Sequence, residues 1–101
     1  MGYSVVFSPE AVEQLTVFYR YLTIAASPDT ARKYVDGLVG YCETLVDFPV
    51  RGRRRDDIRP GLRTTPYRKR TTIAFTLDVN TVSIIGIYYG GQNYESDLMQ
   101  D

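Results

Sequence analysis

The sequence predicts an α+β domain in which an antiparallel helix hairpin packs on one face of a small, mainly antiparallel twisted sheet, in the order β-α-α-β-β-β. Three observations lead there. Two segments in the first half carry apolar residues at helical spacing, and each opens with Ser-Pro followed by an acidic residue. After Pro60 the apolar period changes from that of a helix to that of a strand. A chain of 101 residues with no linker-like stretch is one domain, residues 1–101, large enough for one hydrophobic core.

Residues 3–7 form a short first strand, with Tyr3, Val5 and Phe7 on one face by period two. Ser8-Pro9-Glu10 then starts a helix. Ser8 caps amides that lack a helical partner, Pro9 stands where a missing amide costs nothing, and Glu10 complements the dipole. Ala11, Leu15, Phe18 and Leu22 make its buried stripe, which runs to about residue 25. Ser27-Pro28-Asp29 repeats the signal for a second helix, whose stripe is Ala31, Tyr34, Val35, Leu38, Tyr41, Cys42 and Leu45. Asp47-Phe48-Pro49 ends it, because a residue before proline avoids the helical region. The short connection between the two makes them an antiparallel pair. Gly37 and Gly40 are weak helix formers that let this helix approach the first closely or else soften it.

Residues 51–60 lack periodicity and read as a loop. Residues 62–65 read as a strand interrupted by Pro66. Residues 71–77 alternate, with Ile73, Phe75 and Leu77 on one face and Thr72, Ala74 and Thr76 on the other. Asp78-Val79-Asn80-Thr81 is a hairpin turn by composition. Residues 82–89 are apolar on both faces, as a central strand requires, and Gly90-Gly91 breaks them. The tail from Gln92 carries Tyr94, Leu98 and Met99 in a polar setting and reads as a short helical turn or an edge strand.

The charge is zero in total but not in distribution. Residues 51–70 hold nine basic and two acidic side chains, whereas residues 1–50 hold three basic and six acidic ones and residues 71–101 no basic and four acidic ones. A one-sided basic field favours a polyanion or an acidic partner, unless the arginines pair locally with the chain's own carboxylates. Asp56 and Asp57 read as charge partners of the neighbouring arginines. With no histidine, imidazole metal sites and histidine-based triads are excluded. The single cysteine, Cys42, excludes an internal disulfide and reads as a small core residue. No stretch resembles a signal peptide or a membrane span. Nine tyrosines suit half-buried positions and binding surfaces alike.

Four local features carry a family resemblance: the first strand running into Ser8-Pro9-Glu10-Ala11; Phe48-Pro49 followed by Gly52-Arg53; Ile58-Arg59-Pro60-Gly61-Leu62-Arg63; and the last strand, Ile84 to Tyr89, running into Gly90. In this order and spacing they resemble the RelE/ParE toxin superfamily of type II toxin–antitoxin modules, the ParE branch in particular, over nearly the whole chain. The resemblance implies a small bacterial cytoplasmic toxin that poisons DNA gyrase and stalls replication, with no cofactor, metal or membrane. It implies a cognate ParD-like antitoxin with a ribbon-helix-helix domain and a disordered C-terminal part that folds around the toxin. Operator DNA is then met only through that antitoxin. The RelE-like alternative is a metal-independent, ribosome-dependent mRNA endoribonuclease, and a third reading is a weakened homologue that only binds antitoxin and co-represses its operon.

For cleavage of RNA the candidates are Arg63, Lys69, Arg70 and Tyr89, with Arg68 and Tyr67 beside them. Arginine stays protonated and is a poor base, so Lys69 would have to serve, with a strongly lowered pKa. Many relatives have histidine, glycine and a basic residue where this chain reads Tyr89, Gly90-Gly91 and Gln92-Asn93, and the missing cation argues against cleavage. For binding of antitoxin or target the candidates are Arg53, Arg59, Arg63, Tyr67, Arg68, Arg70, Tyr89, Tyr94, Leu98 and Met99, since arginine and tyrosine are enriched at binding hot spots. Alternation would place Arg68 and Arg70 on one face and Lys69 on the other.

Overall fold

Two helices lie across one face of a five-stranded sheet in the computed structural model, which describes residues 3–47, 51–90 and 94–99. Strand β1 spans Ser4–Phe7, helix α1 Pro9–Ala25 and helix α2 Pro28–Glu43, which tightens into a 3-10 turn at Thr44–Val46. Strands β2 (Arg53–Arg54), β3 (Leu62–Tyr67), β4 (Thr71–Leu77) and β5 (Thr81–Tyr89) follow, and a short helix α3 (Tyr94–Met99) closes the described chain. The sheet order is β1-β5-β4-β3-β2. All neighbours are antiparallel except β1, which runs parallel to β5 because the helix hairpin carries the chain back across the sheet between them.

Both helices begin where the serines place them. The Ser8 hydroxyl accepts from the Ala11 amide at 3.0 Å, and the Ser27 hydroxyl from the Thr30 amide at 3.1 Å. Their inner stripes meet the sheet in a core of Ala11, Leu38, Cys42, Leu45, Ile73, Phe75, Val82, Ile84 and Ile87. Leu15 is only half-buried, so it contributes less to this core than the helical stripe suggested. Burial, with the Glu43 carboxylate adding to it, pushes the Cys42 thiol up to about 12. The thiol therefore stays neutral and inert. A thiol reagent should modify Cys42 only as fast as the protein unfolds globally, and rapid labelling of the native protein would show that α2 opens on its own.

Four features depart from the sequence reading. The stretch expected to be a loop contains β2, which pairs with β3 through Arg53↔Thr64 and Arg54↔Arg63. Gly52 makes this possible: it is left-handed (φ 90°), and a Cβ there would stand 2.7 Å from the Thr64 carbonyl oxygen. Pro66 does not interrupt β3, which continues to Tyr67. Gly37 gives close approach to β3 rather than to α1, since a Cβ at Gly37 would lie 2.6 Å from the Tyr67 hydroxyl, while Gly40 has open space around it. The last departure lies in β5, where a register shift opposite Ala74/Phe75 inserts one extra residue. The bulge changes the phase of alternation, so Val82 and Ile84 and then Ile87 all reach the helix side.

The second sheet face has its own core. Leu62, Ala74, Tyr88 and Leu98 cluster there, with Ile58, Ile85 and Tyr94 packed against them. The tail is thus a helix that covers the sheet, not an edge strand. The Tyr88 hydroxyl donates to the Asp97 carboxylate at 2.8 Å. Burial first, and this bond to Asp97 second, push the phenol up to about 12. The folded value lies above the ordinary 10.0, so the stability Tyr88 contributes is complete below pH 10 and is lost as pH rises through about 12. An absorbance titration should show one tyrosine ionising near pH 12, together with loss of α3 packing.

Candidate functional site

The basic run of residues 51–70 divides into two parts with different fates. One end is neutralised within the chain. Arg55, with its side chain 13% exposed, grips both oxygens of Asp57 (3.1 and 3.0 Å), the Glu95 carboxylate (2.7 Å) and the Tyr94 hydroxyl (3.2 Å). Asp57 is held below the usual carboxylate range chiefly by that guanidinium, and the guanidinium itself is pushed up by Asp57 and then Glu95. Arg54 pairs with Asp56 at 2.8 Å, and Asp56 also accepts from the Gly61 amide at 2.8 Å, the larger cause of its lowered pKa. Arg59 donates to the Leu98 carbonyl at 2.9 Å. This half of the run acts as a clamp that fastens α3 to the sheet. The pairing expected of Asp56 and Asp57 is present.

The same geometry places the candidate binding residues differently from a single patch. Leu98 is 5% exposed and belongs to the second core, so it presents almost no surface to a partner in this structure. Tyr94 is half-buried, stacked on Tyr88 at 5.8 Å and held by Arg55. Met99, in contrast, is exposed. Arg53 projects on the α3 side, opposite the face that carries Arg63, Thr65 and Tyr67. The ten candidate binding residues therefore lie on both sheet faces rather than on one patch. The motif residues Phe48-Pro49, Gly91 and Gln92-Asn93 lie outside the described residues.

The other end of the run is the turn between β3 and β4, where Arg68, Lys69 and Arg70 are all exposed. They form a tight tip and not a strand, so the expected alternation of Arg68 and Arg70 against Lys69 does not apply. Behind the tip stands a continuous file of rings drawn from four elements. Tyr21 meets Tyr89 (6.3 Å between centroids), Tyr89 meets Phe18 (4.5 Å), Phe18 meets Tyr34 (5.3 Å), Tyr34 meets Tyr67 (5.5 Å) and Tyr67 meets Tyr41 (5.3 Å). Arg68 lies over Tyr34 and Tyr67, and Arg51 over Tyr41. The buried hydroxyls are satisfied: Tyr34 bonds Thr71 at 2.8 Å and Tyr41 bonds Thr65 at 3.1 Å. Tyr67 and Tyr89 are thus half-buried sheet aromatics, and the exposed part of the file is Tyr21.

The four residues proposed for RNA cleavage do not form a compact set. Arg63 pairs with Phe75, four strand positions from the Tyr67↔Thr71 pair that borders the tip. That separation is about 13 Å along the strand. Among the described residues no group of three or more His, Cys, Asp or Glu could hold a metal ion.

Beside the ring file lies a groove of about 710 Å³ between α1, the end of β5 and α3. Val17, Phe18, Tyr21, Ile87 and Tyr89 give it apolar walls, and Glu10, Glu13 and Asp97 stand at its margin. Gln14 crosses it to accept the Ile87 amide at 2.7 Å, occupying an edge of β5 beyond the end of β1. Val17 and Tyr21 are 56% and 54% exposed, and Ile24 continues the same stripe one turn on. The sequence reading missed this site. Its signal was present in the spacing of Val17, Tyr21 and Ile24, a second apolar stripe on a helix that already had one.

The described residues thus make a small α+β fold with a helix hairpin on a mixed sheet, an apolar groove along the first helix and a cationic hairpin tip. The family model for the ParE toxin of the type II toxin–antitoxin system parDE matches residues 5–94, and the chain belongs to that family. Its fold is similar to a chain from the chromosomal ParDE system of P. aeruginosa, with a TM-score of 0.76 and 21% sequence identity over 87% of this chain and 96% of that one. No curated protein matches it in sequence.

Proposed function

We propose that this ParE-type toxin acts by binding rather than by chemistry of its own, that DNA gyrase is its target, and that a cognate antitoxin neutralises it. The observation that carries the reading is the groove along α1. Exposed Val17 and Tyr21 line a concave, mainly apolar surface that the apolar side chains of a partner would fit. A disordered antitoxin arm that folds on binding would cover it, with amphipathic side chains seated between α1 and the end of β5. The wide spacing of Arg63 from the hairpin tip supports binding over cleavage, because an RNase needs its groups converging on one phosphate. The site of action is then the bacterial cytoplasm.

Induction of the chain alone in a bacterium tests this reading. The expected outcome is filamentation with a DNA-damage response, relief on co-expression of the antitoxin, and trapped gyrase–DNA cleavage complexes with purified protein. Rapid loss of protein synthesis with cut mRNA would replace it by the ribonuclease reading. Absence of growth arrest would leave a homologue that only binds its antitoxin.

A further inference from the structure

The tip of the β3–β4 hairpin adopts a backbone its residues disfavour. Arg68 (φ 56°) and Lys69 (φ 78°) are both left-handed, whereas every other left-handed residue among those described is a glycine: Gly52, Gly61 and Gly90. Hairpin positions of this kind ordinarily hold glycine, asparagine or aspartate. Strain of this sort persists where the surrounding structure enforces it and clusters at functional sites. Here the enforcement is visible. The Arg68 guanidinium lies 5.7 Å from the Tyr34 centroid and 5.5 Å from that of Tyr67, and its Nε donates to the Tyr67 hydroxyl at 3.2 Å. The Gly90 amide donates to the Arg70 carbonyl at 2.7 Å from the neighbouring strand end.

The tip is also where the basic field survives. Arg54 and Arg55 are matched by Asp56, Asp57 and Glu95, but none of Arg68, Lys69 and Arg70 forms an ion pair among the described residues. We propose that this tip is a phosphate-contacting element that seats on the backbone of duplex DNA. A planar guanidinium held in place by aromatic rings suits phosphate oxygens, and the adjacent lysine and arginine add charge on the same narrow turn. Tyr34 and Tyr67 beneath Arg68 are half-buried, so the tip itself presents charge and not the exposed apolar anchors that an acidic peptide also needs. The inference stands independently of whether gyrase is the target, since it concerns DNA contact by the toxin itself.

Fluorescence anisotropy with a labelled duplex of about 20 base pairs, titrated between about 50 and 200 mM salt, tests it. Three phosphate contacts give a slope of log K against log salt of about −2.7. The variant Lys69→Gln/Arg70→Gln keeps the turn but removes two charges, and its slope should fall to about −0.9, with affinity at low salt reduced about tenfold or more. Lys69→Gly relaxes the backbone, so it should raise Tm by roughly 2–6 °C while weakening DNA binding. An unchanged slope in the double variant overturns the proposal. A preference of the wild-type protein for a polyglutamate peptide of equal charge also overturns it and assigns the tip to an acidic protein. An unchanged or lowered Tm in Lys69→Gly removes the strain on which the assignment rests.

Discussion

Replacing Leu38 with alanine is expected to destabilise the protein by about 2–5 kcal/mol and to lower Tm by roughly 10–30 °C. Leu38 is fully buried where α2 meets the sheet, in the cluster that contains Ile73, Phe75 and Ile84. Removing its isobutyl group forfeits transfer free energy and leaves a cavity, because β4 and β5 are held in register by their ladder and cannot collapse into the space. The loss is a large share of the 5–15 kcal/mol that holds a domain of this size. Ile84→Ala belongs to the same class, whereas half-buried Leu15 should cost less than either. Thermal and urea melts measure the difference directly. A change under about 1 kcal/mol at Leu38 would mean that the helix hairpin is not packed as described.

Val17→Asp should leave stability almost unchanged and weaken antitoxin binding strongly. Val17 is more than half exposed, and surface substitutions of that kind usually move stability by no more than about 0.5 kcal/mol. In the complex the same position would be covered by apolar side chains, with Glu10 and Glu13 nearby on the same helix. A carboxylate there must be desolvated without a cationic partner, a penalty of about 2–4 kcal/mol, or roughly 30- to 1,000-fold in Kd. Titration calorimetry with the cognate antitoxin measures it, and melting curves of the free variant separate lost affinity from lost folding. Wild-type affinity in Val17→Asp would show that the antitoxin docks elsewhere.

These two positions also show how differently structure and sequence speak. Leu38 was legible because its helical spacing places it on one stripe with Ala31 and Cys42. Val17 was passed over because Ala11, Leu15, Phe18 and Leu22 already satisfied the need for a buried face. Only the observed packing reveals that α1 carries a second stripe with nothing lying on it among the described residues.

What the amino-acid order determined by itself was whatever a few neighbouring residues decide: the serine caps of both helices, the alternation of β4, the turn before β5, and the pairing of Asp56 and Asp57 with the arginines beside them. Tertiary structure decided whatever depends on residues far apart in the chain. Arg55 and Glu95 meet across 40 positions to hold α3 on the second face, and that contact turns Leu98 from a surface candidate into core. Gly37 serves Tyr67, and the bulge in β5 answers to β4. The arginines read as one charged run because charge is countable along a sequence. Whether each one is neutralised or left facing solvent is settled only by which carboxylates the fold brings within hydrogen-bonding distance.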